Sequence, residues 1–321
     1  MSMLYLTEND VRELLPMDVC IDLMQTAFAR LASGEALNHP RRRLILPTGS
    51  VLHYMAGSDG GYFGAKIYAS HPKRGAHFLF LLYSAADAEP LALIEANQLG
   101  QIRTGAASGL ATRFLAREDA AALAIIGSGF QARTQVAAML AVRPISQVRV
   151  WSRNPEKRAA FAAEVSKQYN IPVQSADTAE QAVRGARIVV TATYSKDPVL
   201  SAGWVEAGAH INAMGSNQAT RREIPGDLVE RADLIVVDSI EQARMESGDL
   251  LMSLDDADWA SPRIVELKDV VTGEGRKRTT PEQMTLFKSN GLAVEDVIAA
   301  AHVYERAQAA GAGTQVAPPH S

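Results

Sequence analysis

One cysteine, Cys20, in 321 residues is too few for an internal disulfide or a cysteine-rich zinc site. It lies in an apolar helical pattern, which reads as a buried structural thiol. The histidines at 39, 53, 71, 77, 210, 302 and 320 show no metal-ligand spacing, so they read as surface or core residues and no metal is expected. No serine carries the flanking pattern of a nucleophile elbow. An excess of basic charge is also missing: 32 basic against 36 acidic residues give a net −4, with no field to attract nucleic acid or an anionic membrane. No apolar run is long enough to cross a bilayer. The first ten residues have neither the basic start nor the apolar core of a secretory signal. These absences point to a protein of the reducing cytoplasm without nucleic-acid or membrane partners.

What remains is an ordinary globular balance, with enough length for two domains or one large one. Its most informative stretch runs from Ala121 to Ala132. An apolar strand, 122–127, is broken by Gly127, Ser128 and Gly129 and leads through Phe130 and Gln131 into a helix. Gly127 permits the turn, Gly129 lets backbone approach a pyrophosphate, and Ala132 allows the helix to pack close to the strand. The pyrophosphate would sit on the free N–H groups and positive end of that helix. A second apolar strand at 147–152 closes the βαβ unit. Gly311 and Gly313 have no strand before them and read as part of a disordered tail.

The residues after the second strand bear on the choice of cofactor. A site for NAD usually places a carboxylate there for the ribose 2′-hydroxyl. This chain instead has Ser152, Arg153 and Asn154, with Lys157 and Arg158 one turn on. An arginine can grip a 2′-phosphate that a carboxylate would repel, so NADP(H) is expected over NAD(H).

Upstream, Thr7 with Asp10 reads as the cap of a short helix to Leu15, and a second helix follows Pro16 and stops at Gly34. Short strands then begin near residues 43, 51, 64, 78 and 90, with a hairpin turn at Asp87–Pro90. Gln101–Leu115 reads as helix. From Ala121, strands at 122–127, 147–152, 171–175, 187–192, 209–214 and 233–238 alternate with helices or loops, and 264–267 reads as a further strand. A last amphipathic helix covers 294–307. The class is α/β: a doubly wound parallel sheet plus a second, α+β part.

Certain blocks carry a resemblance: Gly64–Ile67, Ile102–Ser108, Ile126–Arg133, Val190–Thr193, Gly215–Glu223, Val237–Ser239 and Leu286–Gly291. In order and spacing they resemble the ornithine cyclodeaminase/μ-crystallin family over nearly the whole chain. That resemblance implies a Rossmann dinucleotide-binding domain, residues 117–290. It also implies a discontinuous substrate-binding and dimerisation domain, residues 1–116 with 291–321. A homodimer and a cleft for a small anionic amino or imino acid are further implications.

Lys66 stands alone on an otherwise apolar strand, either snorkelling to water or held for chemistry. The resemblance implies the second, with Lys66 facing the substrate's carboxylate and nitrogen. From its residues alone Arg103 is a helix-start arginine in a surface pair. The resemblance makes it a two-pronged carboxylate ligand, with Thr104 on a cofactor phosphate. Proline-x-arginine spacing matches Arg42 to a second carboxylate-binding arginine, although Arg41 and Arg43 offer the same charge one position away. Thr191 and Thr193 would lie by the cofactor ribose, Met214 and Ser289 by the nicotinamide. Ser289 also reads as a helix cap before Gly291. Asp238 and Glu246 read as capping, solvated residues.

Asn217 departs from the cyclodeaminases, which place an aspartate there. An amide donates and accepts hydrogen bonds but does not titrate. Redox-neutral ring closure with loss of ammonia is therefore disfavoured, and simple hydride transfer survives. The expected activity is NADPH-dependent reduction of a small α-imino acid or cyclic ketimine, such as pyrroline- or piperideine-2-carboxylate. Alternatives are an amino-acid dehydrogenase, a cyclodeaminase, or a binding protein holding NADPH and a hormone-like ligand.

Overall fold

Thr7 and Asp10 form a reciprocal capping box: the Thr7 hydroxyl accepts from the Asp10 amide, and the Asp10 carboxylate accepts from the Thr7 amide at 2.8 Å. The computed structural model describes residues 3–317. In it, strand β1 (Met3–Leu6) precedes the capped helix α1 (Glu8–Leu14), and α2 (Met17–Ser33) ends at Gly34, whose φ of 81° is left-handed. Next come β2 (Leu37–Ile45), β3 (Val51–Asp59), β4 (Tyr62–His71), β5 (Gly75–Ser84), β6 (Pro90–Glu95) and α3 (Asn97–Leu115).

Strands and helices then alternate. These are β7 (Ala122–Ile126), α4 (Phe130–Val142), β8 (Gln147–Trp151), α5 (Pro155–Tyr169), β9 (Val173–Ser175), α6 (Ala179–Val183), β10 (Ile188–Thr191), β11 (His210–Ala213), α7 (Gly226–Arg231) and β12 (Leu234–Val237). After them come α8 (Ile240–Glu246), α9 (Gly248–Leu251), α10 (Asp256–Trp259), β13 (Ile264–Glu266), α11 (Leu267–Thr272) and β14 (Thr285–Lys288). The chain closes with α12 (Ala293–Ala310) and β15 (Thr314–Val316). Among the described residues no helix is long and apolar enough to cross a membrane.

Two compact units result. The first runs to Arg103 and resumes at Gly291, and the second is Thr104–Asn290. The sequence boundary at 116/117 falls just past the end of α3, whereas the contacts divide the chain inside that helix.

The first unit holds a seven-stranded sheet in the order β15-β1-β6-β5-β4-β3-β2, antiparallel except for the β1–β6 pair. Alternation along β3 and β4 buries His53, Met55, Gly64 and Lys66 on one face. The other face leaves Leu52, Tyr54, Phe63, Ile67 and Leu79 exposed. Helix α12 packs against β3 and β4 and is buried along most of its length. The tail expected to be disordered from Gly311 is instead a turn into β15, whose Thr314–Val316 pair with β1. His320 lies outside the described residues.

The second unit is an eight-stranded, wholly parallel sheet in the order β13-β12-β14-β11-β10-β7-β8-β9. Strands β10, β11, β12 and β14 are buried at every residue, as expected of a sheet covered on both faces. The sequence reading omits β14, which is inserted between β11 and β12. It also omits β1, another four-residue strand.

Candidate active site

In the first unit, β4 turns Lys66 inward, where it is 3% exposed. Its Nζ lies 2.9 Å from Asp296 Oδ1. Arg103, on α3, donates from Nε to the same oxygen at 2.9 Å and from Nη1 to Glu295 Oε2 at 2.9 Å. Both carboxylates stand in the first turn of α12, where the helix dipole favours negative charge. Neighbouring glycines make room for the cations. A Cβ on Gly100 would lie 2.6 Å from Lys66 Nζ, and one on Gly291 would lie 2.5 Å from Arg103 Nη1.

The third cation is Arg41. His39 pairs with Ala56 and Arg42 with Tyr54, so Pro40 and Arg41 together oppose Met55 in a bulge. The bulge turns Arg41 inward, 4% exposed, with Nη2 3.3 Å from Gly291 O and 3.6 Å from Met55 Sδ. Arg42 stays on the exposed face beside Tyr54. The arginine that joins Lys66 and Arg103 is therefore Arg41, one position from the expected Arg42.

Burial pulls the Lys66 ammonium down to about 8, against the raising effect of Asp296. Burial alone would raise Asp296, but Arg103 and Lys66 hold it below the usual carboxylate range. Arg103 is desolvated too, yet Asp296 and Glu295 outweigh this and raise it. Three cations, Lys66, Arg103 and Arg41, gather in this buried region with the carboxylates of Asp296 and Glu295. Asp296 Oδ2, fully buried, accepts no hydrogen bond from the described residues. Phe78 lies 5.6 Å from Lys66 Nζ, stacked on Tyr68, which stacks on His53. Burial, then Arg43 and Arg41, pull the His53 ring down to about 4, so it is neutral at physiological pH. The cluster suits a small anion carrying a basic nitrogen.

The second unit supplies the glycine turn. Gly127 has φ 118°, and a Cβ there would lie 2.4 Å from Ala192 O. A Cβ on Gly129 would meet nothing within 4 Å, so the space above the turn is open. Gly129 caps α4 with no side-chain hydrogen bond, and the first turn has no acidic residue. Ala132 is fully buried where the helix packs close. An open turn, a cap residue without a side chain and a first helical turn without a carboxylate fit a dinucleotide's pyrophosphate. Phe130 is 42% exposed beside the turn. Ser128 Oγ and Ser152 Oγ are 2.8 Å apart, joining the turn to the end of β8.

Arg153 is exposed at that strand end, and Asn154 caps α5 by accepting from the Lys157 amide at 2.8 Å. Arg158 is buried and bonded to Ser152 O and Ser175 Oγ, a structural role. The hydroxyls of Thr191 and Thr193 donate to Glu223 rather than standing free for a ribose. Met214 is buried after β11, its amide donating to Thr191 O. Ser289 does not cap α12. Its hydroxyl donates to Asp238, while Asn38 Oδ1 accepts from the Ala293 amide at 2.7 Å. Asp238 and Glu246 are buried acceptors of internal hydrogen bonds, not solvated caps. Asn217 lies part-buried just beyond Ser216, and Thr104 begins the second unit within α3. No group of histidine, cysteine and acidic residues among the described ones could hold a metal.

Glu295 and Asp296 escape the sequence reading. Their signal is two acids inside the run Val294–Ala301, which is apolar around the helix and therefore demands buried partners.

Comparison with known proteins agrees with this architecture. The model of the ornithine cyclodeaminase/mu-crystallin family matches residues 1–311. A Δ1-pyrroline-2-carboxylate reductase of Bacillus cereus is 34% identical over 331 aligned positions, covering 98% of this chain and 99% of its own. The Thermococcus litoralis Δ1-pyrroline-2-carboxylate reductase, solved with NADH and L-proline, superposes with a TM-score of 0.93 at 34% identity, covering 98% of this chain and 100% of that one. An archaeal alanine dehydrogenase dimer with bound NAD gives 0.91 at 31% identity, covering 98% and 99%. A whole-length match of sequence, together with the same pairing of a mixed sheet and a parallel sheet, makes this chain a member of the ornithine cyclodeaminase/μ-crystallin family.

Proposed function

We propose that this oxidoreductase reduces the C=N bond of a small α-imino acid, best a cyclic ketimine such as pyrroline- or piperideine-2-carboxylate. The observation that carries the reading is the buried Lys66–Asp296–Arg103 cluster with Arg41 beside it. Arg41 and Arg103 hold the substrate carboxylate. Lys66 keeps the imine nitrogen protonated, which spares the site an amide anion. Asp296 fixes the ammonium so that its proton points one way. Asn217 offers an amide where a carboxylate base would serve ring closure, which favours reduction over cyclodeamination. The nicotinamide, when bound, supplies the hydride. Relatives named as pyrroline-2-carboxylate reductases support this chemistry.

Gly127, Ser128, Gly129, Phe130, Gln131 and Ala132 form the pyrophosphate turn, with Thr104, Met214 and Ser289 as further cofactor-side residues. Arg153, with no carboxylate at its strand end, favours NADPH over NADH, and Ser152 and Asn154 frame the same edge. The exposed apolar face of the first unit suits a second copy of the chain, giving a homodimer. The lone buried thiol suits a reducing cytoplasm.

The test is reduced-cofactor oxidation by the purified protein with cyclic and linear α-imino acids, NADPH and NADH in parallel. Turnover of a cyclic ketimine, faster with NADPH, is the expected result. Ammonia release from ornithine or lysine without net cofactor change would overturn it. A strict need for free ammonia with a 2-oxo acid would make the protein an amino-acid dehydrogenase.

A further inference from the structure

Glu223 is fully buried, and a buried carboxylate is costly unless donors meet it. Four do. Thr191 Oγ1 and Gly215 N donate to Oε2 at 2.8 and 2.7 Å, and Thr193 N and Oγ1 donate to Oε1, each at 2.6 Å. Thr191 ends β10, Thr193 lies two residues beyond it, and Gly215 follows β11. The glycine turn touches the same place, since Ala192 O blocks any Cβ on Gly127.

A second buried pair extends the network. The amides of Glu223 and Ile224 donate to Asp249 Oδ1 at 2.6 and 2.9 Å, and Lys288 Nζ lies 3.0 Å from Asp249 Oδ2. Lys288, fully buried at the end of β14, also donates to Ser216 O. The segment from Gly215 to Ile224 is thus held at both feet: Gly215 and Ser216 at one, Glu223 and Ile224 at the other. Asn217 leaves directly from the first foot.

We infer that Glu223, Asp249 and Lys288 are positioning residues for hydride transfer. Their network fixes Thr193 and the Gly215–Arg222 loop against the glycine turn, and so sets where the nicotinamide end of the dinucleotide rests. The inference builds on the oxidoreductase reading. A buried ionic network adds little net stability over apolar packing, so its contribution here is geometry. Only a carboxylate accepts all four bonds. The amide of a glutamine would turn a donor toward two donors.

The test compares the full-length protein with Glu223→Gln. Three quantities are read: NADH binding by nicotinamide fluorescence, hydrogen exchange across residues 191–194 and 214–224, and reduction of Δ1-pyrroline-2-carboxylate with protiated and deuterated NADH. The NADH dissociation constant is expected to move by less than about threefold, because the pyrophosphate turn is untouched. Exchange quickens in those two segments only, and the emission of bound nicotinamide changes. A misplacement near 1 Å costs roughly 100-fold in kcat, with a larger deuterium isotope effect and little change in the imine KM. Adding Thr193→Val, which removes one opposed donor, partly restores kcat.

Unchanged emission, exchange and isotope effect, with activity lost only in proportion to unfolded protein, would overturn the inference. If Glu223→Gln does not fold, Thr193→Val alone carries the same comparison, with a smaller effect in the same direction. Wild type that binds NADH but reduces no imino acid sinks the substrate reading, and exchange and emission still decide the positioning role. Wild type that binds neither dinucleotide sinks both.

Discussion

A lysine with a pKa near 8 is mostly protonated at neutral pH and within reach of giving its proton away. Imine reduction should therefore be level below about pH 8 and fall as Lys66 loses its proton above it. Asp296 raises that pKa, so Asp296→Asn should move the falling limb of kcat/KM to lower pH. A limb that stays in place would remove Lys66 from proton transfer. Lys66→Met should lower kcat by roughly 10²–10⁴, the usual worth of a positioned acid. The depressed carboxyl of Asp296 stabilises the fold at neutral pH, and this is lost as pH falls below the ordinary carboxylate range. Asp296→Ala leaves Lys66 and Arg103 buried without their shared partner, at a cost of about 3–5 kcal/mol in denaturant unfolding. Lys66 was legible as a lone charge on an apolar strand. Asp296 was not, because the contact spans 230 positions and only tertiary structure closes it.

At the scale of elements, the choice among three consecutive arginines turns on one bulge. Pattern matching favoured Arg42, but the extra residue at Pro40–Arg41 shifts the strand's alternation and sends Arg41 inward. Arg41→Met should raise the imino-acid KM roughly 10- to 100-fold, the loss of a charge-assisted bond, while Arg42→Met leaves it nearly unchanged. The reverse ranking would return the role to Arg42. Strands β10 and β12 could be read directly because parallel strands buried on both faces are short apolar runs. Strand β14 could not, since Thr285 and Lys288 place polar residues at both ends of four. Those two side chains meet internal partners, which sequence alone does not display.

At the scale of the molecule, the first unit leaves an apolar sheet face exposed. Leu52, Tyr54, Ile67 and Leu79 lie side by side through the pairings of β3 with β4 and of β4 with β5. Covering them with a second copy would bury area worth about 25 cal/mol per Å². Leu52→Glu with Leu79→Glu should convert the proposed homodimer to monomers by light scattering, and an unchanged mass would place the interface elsewhere. The parallel sheet was legible from the βα rhythm after Ala121, and an α+β part from the short strands before it; the mixed order of that first sheet was not. The return of the chain to its first sheet was only half legible: α12 was foreseen, and β15 was not.

That return has a topological consequence. Met3 lies opposite Val316 in one antiparallel ladder, so the first unit is a closed circuit interrupted once by the second. Linear order therefore matters less to this fold than adjacency. A polypeptide joined across that ladder and reopened at the exposed Asp87–Ala88 turn would thread the same two sheets, with every member of the charge cluster in its present neighbourhood.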